Sequence, residues 1–290
     1  QAAGNITTGG SIMAITAVNP GTGTVNPGHI TIESTGGAID TTAGYLQSTA
    51  DGNSSGNIQL KAAGDIRTGT IDSSGLWFGT GGSISLESTG GIIDTSLGQL
   101  NSFSTFAVAG DVTLKAAGDI TTGNIMSNSG QQGGNITITS ITGLINAANG
   151  DLSSNSNTGT SGNVTLEAAR SIATKNIISF GAITGGNVTV NSGGSFSSSE
   201  EILSYASDLI SSGVAGNIDI HAASDITLGT NGSLTAISST GEQQGGSITI
   251  TSDTGKITAN AGIFLSSDSG TAGDVTLDAP GNIDITNILS

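Results

Sequence analysis

The chain has 290 residues, 47 of them glycine, and only 10% are charged, against roughly 25% in an average globular chain. Its net charge of −16, from 22 acidic and 6 basic side chains, lacks the clustered lysine and arginine of a nucleic-acid surface and disfavours adsorption to anionic lipid. The absence of cysteine excludes a disulfide framework and thiolate-bound zinc, and no apolar run reaches the ~20 residues of a membrane span.

Residues 2–8, AAGNITT, match residues 116–122, AAGDITT, so the sequence opens part-way through a repeated unit. From there two unit types alternate. Type B begins at Gly28, Gly82, Gly134, Gly186 and Gly246 and reads G-x-[IV]-[TS]-[ILV]-x-S. Type A begins at Gly56, Gly110, Gly162, Gly216 and Gly273 and reads G-[ND]-[IV]-x-[LI]-x-A. Successive starts lie 24 to 30 residues apart. The sequence closes at GNIDITNILS, again inside type A, with no polar or helical cap at either end. The expectation is that residues 1–290 are one continuous segment of a longer array.

Each unit predicts a first strand by its period-2 alternation. Its third residue is always Ile or Val: Ile30, Ile58, Ile84, Val112, Ile136, Val164, Val188, Ile218, Ile248 and Val275. The fifth is Ile, Leu or Val throughout, from Ile32 to Leu277. A second short strand is centred on Ile39, Ile66, Ile93, Ile120, Ile145, Ile172, Phe196, Ile226, Ile257 and Ile283 in turn. In type A a third apolar position follows near Ile71, Ile125, Ile177, Leu234 and Ile288, and beyond it the chain is rich in Ser, Gly and Asn. Three short strands per unit without helical periodicity describe a coil of an all-β parallel β-solenoid, with 10 to 11 coils. At ~4.8 Å per coil the rod would be roughly 50 Å long. A β-sandwich would not require two strictly alternating unit types.

Two further columns refine this picture. The seventh residue is Ala in every A coil and Ser in every B coil: Ser34, Ser88, Ser140, Ser192 and Ser252. These hydroxyls are expected to bond backbone at the bend, so that an apolar neighbour is tolerated above and below. The outward sixth residue begins Glu33, Lys61, Glu87, Lys115, and in-register stacking makes this a charge ladder of alternating sign. Its use would be to disfavour slipped registers in which like charges face each other. The column continues Thr139, Glu167, Asn191, His221, Thr251, Asp278.

The units GNVTLEAARSIAT, GDVTLKAAGDITTGNI and GGNITITSITGLINA resemble the repeats of filamentous-haemagglutinin-like exoproteins, above all the large Gly/Ser/Thr-rich versions of cyanobacteria. The resemblance covers essentially the whole chain. It implies a right-handed parallel β-helix, export through an outer-membrane transporter, and a fibrous adhesin on the bacterial surface or in an extracellular filament. The partners implied are neighbouring repeats, copies of the chain itself, and glycans or cell surfaces, with no nucleic acid and no membrane insertion. The family's secretion domain is not in this sequence.

A β-helix also hosts polysaccharide lyases and hydrolases, which makes a polysaccharide-binding or polysaccharide-cleaving module the alternative. The residues point away from catalysis. The bases Lys61, Arg67, Lys115, Arg170, Lys175 and Lys256 are spread along the rod. Glu200 and Glu201 are adjacent, and as strand neighbours would face opposite sides, unlike the paired carboxyls of a glycosidase. His29 and His221 lie several coils apart and read as solvated surface groups. Asp51-Gly52-Asn53 and Asp268-Ser269-Gly270 read as turns rather than calcium loops. No catalytic residue, cofactor or metal is expected. The outward threonines Thr31, Thr113, Thr137, Thr165, Thr189, Thr249 and Thr276 are interrupted by Gln59, Ser85 and Asp219, and β-propensity accounts for them better than an ice-binding face. Trp77, Phe78, Phe103 and Phe106 fall in the variable segments, where the plainer role is to cover the end of the core. They are also the first candidates for an adhesive patch.

Overall fold

Alternating Ile/Val positions bury one face of each short strand, and the chain does this by winding. In the computed structural model, which describes residues 1–16, 27–207, 213–231, 235–267 and 270–289, the described residues are all-β. First strands from Ile30–Ser34 to Val275–Asp278 form one ten-stranded sheet in strict sequence order, all parallel. Nine full turns therefore separate the first of these strands from the last. The second and third strands of every coil form the remaining faces, merged into a 21-stranded sheet. Both A and B coils contribute to both sheets.

Register is kept from coil to coil. Ile30, Ile58, Ile84, Val112 and Ile136 lie side by side, and the column continues through Val164, Val188, Ile218 and Ile248 to Val275. The second strands align Ile6, Ile39, Ile66, Ile93, Ile120, Ile145, Ile172, Phe196, Ile226, Ile257 and Ile283. These columns fill the interior. Val112, Leu114, Ile136 and Val164 are fully buried, Ile30 nearly so, and Val275 half-buried in the last coil. The third-strand column departs from expectation at one coil. Leu234 lies outside the described residues, and Ile237 takes the place between Ile202 and Ile263. The cause is spacing. Second and third strands start five residues apart at Ile66/Ile71, Ile120/Ile125 and Ile172/Ile177, but Ile226 and Ile237 are eleven apart, so an insertion moved the inward residue along the chain.

The same spacing explains the two coil types. In B coils this step is seven residues at Ile39/Leu46, Ile93/Leu100 and Ile145/Leu152, and six at Phe196/Ile202 and Ile257/Ile263. Asp40 Oδ1 accepts from the Thr42 amide at 3.0 Å, Asp94 Oδ1 from the Ser96 amide at 3.0 Å, and Asn146 Oδ1 from the Ala148 amide at 3.2 Å. These are Asx turns, in which a short side chain replaces a backbone turn partner.

The B-coil serines sit buried against alanines: Ser88 is flanked in register by Ala62 and Ala116. The hydroxyls of Ser34, Ser88, Ser140 and Ser252 donate to the carbonyls of Gly4, Gly64, Gly118 and Ser224, each in the preceding coil, at 2.7–2.8 Å. Each also accepts the amide three residues on, at Gly37, Gly91, Gly143 and Gly255. Ser192 donates to Arg170 O at 3.0 Å. A buried hydroxyl without such partners would be costly.

A second serine column closes each coil. Ser102, Ser127, Ser154 and Ser204 are buried and donate to the carbonyls of Gly82, Gly110, Gly134 and Gly186, the residues that open their own coils. Ser102, Ser154 and Ser204 accept in turn from the amides of Gly110, Gly162 and Gly216, which open the next coils. The opening residue must be glycine because the coils stack there backbone on backbone. A Cβ on Gly162 would lie 2.2 Å from Gly134 O, and one on Gly186 would lie 2.1 Å from Gly162 O.

Candidate functional site

With the inward columns committed to packing, chemistry is left to the outward ones. Glu33, Lys61, Glu87 and Lys115 stand on neighbouring rungs of the first face. Lys61 Nζ lies 2.8 Å from Glu87 Oε2, and this hydrogen bond raises the lysine pKa above its ordinary value. Both side chains remain partly exposed, so the pair is screened by water and salt.

The next rungs are Thr139, Glu167, Asn191 and His221, also in register. Here the first face bends into an open trough of about 430 Å³. Two residues beyond the sixth column the chain places Ile141, Ala169, Gly193, Ala223 and Asp253 in successive coils. The three small residues in the middle leave the space. Ile141, 53% exposed, stands at one end. His221 Nε2 lies 2.9 Å from Asp253 Oδ1 at the other. A carboxylate only accepts, so Nε2–H is the donor, and Nδ1 is the ring nitrogen left over. Farther toward the amino end the equivalent positions are Thr35, Ala63, Thr89 and Ala117. Threonines in alternate coils there reduce the hollow lined by Glu33, Lys61 and Thr89 to about 190 Å³.

The aromatics Trp77, Phe78 and Phe106 gather on the surface. Phe106 lies 6.5 Å from Trp77 and 5.7 Å from Phe78 between ring centroids. They do not cover an end of the core. They project from the coils that open at Gly56 and Gly82, each with a coil stacked on either side, and Phe78 is 78% exposed. Trp77 has φ 56°, a left-handed conformation uncommon for a bulky residue, and its carbonyl accepts the Phe106 amide at 3.1 Å. Phe103 is half-buried two residues beyond the third strand, Leu100–Asn101. A second aromatic pair went unread in the sequence: Phe180 stacks on Tyr205 at 5.6 Å, because the two are register partners.

Other candidates fall elsewhere. Glu200 and Glu201 occupy a bend rather than a strand, and Glu200 is held by Asn176 at 2.7 Å and Lys175 at 3.8 Å. His29 is exposed, and its Nδ1 accepts the Asn57 amide at 2.9 Å. It thus begins a side-chain ladder between coils instead of standing free in solvent. Gly52 has φ 77°, as a turn requires, while Asp268 and Ser269 lie outside the described residues. Among the described residues no three His, Asp or Glu side chains are grouped to hold a metal ion, and no helix is long and apolar enough to cross a membrane.

No family model, curated protein or solved structure matches this chain. The chemistry must therefore be read from the outward columns themselves. The trough is where the sequence was least explicit. Its sixth-column residues were visible, but Asp253 and the run Ala169, Gly193, Ala223 become a feature only when five coils are stacked.

Proposed function

We propose that this chain is a structural rod, a stalk or filament segment of a bacterial extracellular fibre or surface adhesin. The observation that carries the reading is the unbroken register of the first-strand ladder through all ten coils. Each coil presents its successor with the same backbone edge and the same inward column, so adding coils adds length without altering shape. A net charge of −16 keeps such a polar rod apart from its neighbours in solution. The likeness of its repeats to filamentous-haemagglutinin-like exoproteins supports placement outside the cell and export through a partner transporter.

A deletion of residues 56–109 in the protein as its gene encodes it tests this. The cut removes one A and one B coil, preserves the alternation, and sets Glu33 beside Lys115. The expected result is a fibre shorter by about 10 Å per chain, at ~4.8 Å per coil, with attachment to its target intact. Loss of attachment would refute a purely structural role for these coils and would point to the excised aromatics Trp77, Phe78, Phe103 and Phe106. Release of sugar ends from a polysaccharide panel by the intact protein would favour a cleaving module instead.

A further inference from the structure

We propose that the trough between Thr139 and Asp253 binds an uncharged, extended oligosaccharide laid along the axis of the rod. The first argument is unused hydrogen-bonding capacity. Among the described residues the side chains of Glu167 and Asn191 make no hydrogen bond or ion pair, and unlike the equally unpaired Lys115 of the same column both line the trough. A carboxylate that accepts, an amide that both donates and accepts, and the second ring nitrogen of His221 make up a set suited to vicinal hydroxyls. Asp253 fixes that imidazole in orientation.

The second argument is spacing. Glu167, Asn191 and His221 stand on consecutive rungs, ~4.8 Å apart, close to the length of one pyranose in an extended chain. Each rung then meets the next sugar in a similar way. The trough crosses five coils, a span of roughly 19 Å at that rise. This accommodates about four sugars. The run Ala169, Gly193, Ala223 allows the chain to lie close to the backbone, and the exposed Ile141 offers an apolar surface to a pyranose C–H face. The third argument is charge. Glu167, and a net charge of −16 on the whole chain, repel sulfated or uronate polymers. The site therefore takes neutral sugars.

The test is titration of the intact protein with cello-, manno-, xylo- and chito-hexaoses, with heparin and polygalacturonate fragments of equal length as anionic probes. Binding is followed by calorimetry and by amide chemical shifts. At least one neutral hexaose is expected to bind, with shifts centred on residues 167–169, 191–193 and 221–223 and affinity lost as the ligand falls below four sugars. Asn191→Ala and Ala169→Gln should each weaken binding at least about tenfold, the first by removing contacts and the second by filling the trough. Glu33→Ala, on the same column outside the trough, should leave it unchanged. Shift mapping on the unmodified protein decides the matter even if a variant folds poorly. The proposal is overturned by no binding of any neutral hexaose at millimolar concentration, by binding confined to the anionic probes, or by shifts and affinities indifferent to the trough. None of these outcomes bears on whether the chain is a stalk, which the deletion of residues 56–109 tests separately.

Discussion

The first face carries two different surfaces on one scaffold. In the coils that open at Gly28, Gly56, Gly82 and Gly110, the sixth column is Glu33, Lys61, Glu87, Lys115; of this charge ladder only Lys61 and Glu87 pair, with Glu33 and Lys115 left without an ion pair at either side among the described residues. In the coils that open at Gly134 to Gly216 it is Thr139, Glu167, Asn191, His221, and Glu167 and Asn191 are left unpaired around a trough. The interior shows a parallel contrast. Thr41 donates to Thr68 and Thr95 to Thr122 at 2.8 Å in buried pairs toward the amino end, whereas the column continues as Ala147, Thr174, Ser198, Leu228 and Ala259, where no two hydroxyls pair. The backbone is indifferent to both changes, because register rests on the Ile/Val/Leu ladders and on the glycine and serine columns that the two regions share. Specialisation is thus confined to positions that stacking does not use.

The comparison can be broken most severely where the regions are alike. Leu114→Ala and Leu166→Ala each empty a fully buried site, and each should cost about 2–5 kcal/mol. Equal losses in denaturant midpoint are expected, and a loss at only one site would show that the two regions do not share one core. Ser154→Ala should cost about 1–3 kcal/mol, because it leaves the Gly162 amide and the Gly134 carbonyl buried without their common partner. Ser154→Thr should recover part of that loss if the pocket accommodates the methyl. Hydrogen exchange at Gly162 reports both changes.

Smaller effects sharpen the difference on the surface. A Lys61→Ala, Glu87→Ala double-mutant cycle should show favourable coupling that fades in high salt. The Lys61 pKa is raised in the folded state, so its contribution is fully present below the unfolded lysine value and is lost as pH rises through the folded one. A coupling insensitive to both salt and alkali would contradict the pair. The smallest effect concerns Asp40. The Thr42 hydroxyl and amide, both donating to Asp40 Oδ1, hold its pKa below the ordinary aspartate value. Its contribution is present above the unfolded pKa and is lost as pH falls through the folded one. Thr42→Ala should move the Asp40 titration, followed by carboxyl NMR, back toward the ordinary value. An unmoved titration would remove the turn from the account.

The coil was legible in the sequence because its constraints recur at every turn. Ile30 through Val275 could be aligned by eye, and the alternation of Ser and Ala at the seventh position named the hydroxyls that bridge coils. What could not be read depends on neighbours distant in sequence. Asp65, Asp119 and Asp225 look like ordinary turn residues in AAGDI, AAGDI and AASDI, yet their Oδ1 atoms accept the amides of Ile92, Leu144 and Lys256 one coil later. Ile237 was displaced by an insertion that no column announces. Phe106 joins Trp77 only because the next coil carries it over the Leu76–Gly79 turn. The trough was hidden for the same reason: a hollow is made by what is small in three coils running, and each alanine or glycine alone is unremarkable.

One ladder has a further consequence. Asn135 Oδ1 accepts the Asn163 amide, Asn163 that of Asn187, Asn187 that of Asn217, and Asn217 that of Ser247, all at 2.8–2.9 Å. Every bond points the same way, from the side chain of one coil to the backbone of the coil after it. The aspartates at the first bend point the same way. The rod is therefore vectorial: each coil, once wound, already holds out acceptors for amides that have not yet arrived. A chain threaded out amino end first can wind as it emerges, with each finished turn serving as the template for the next. A chain delivered from the other end meets backbone carbonyls, such as Asn57 O waiting for the Ile30 amide, but not this row of side-chain acceptors.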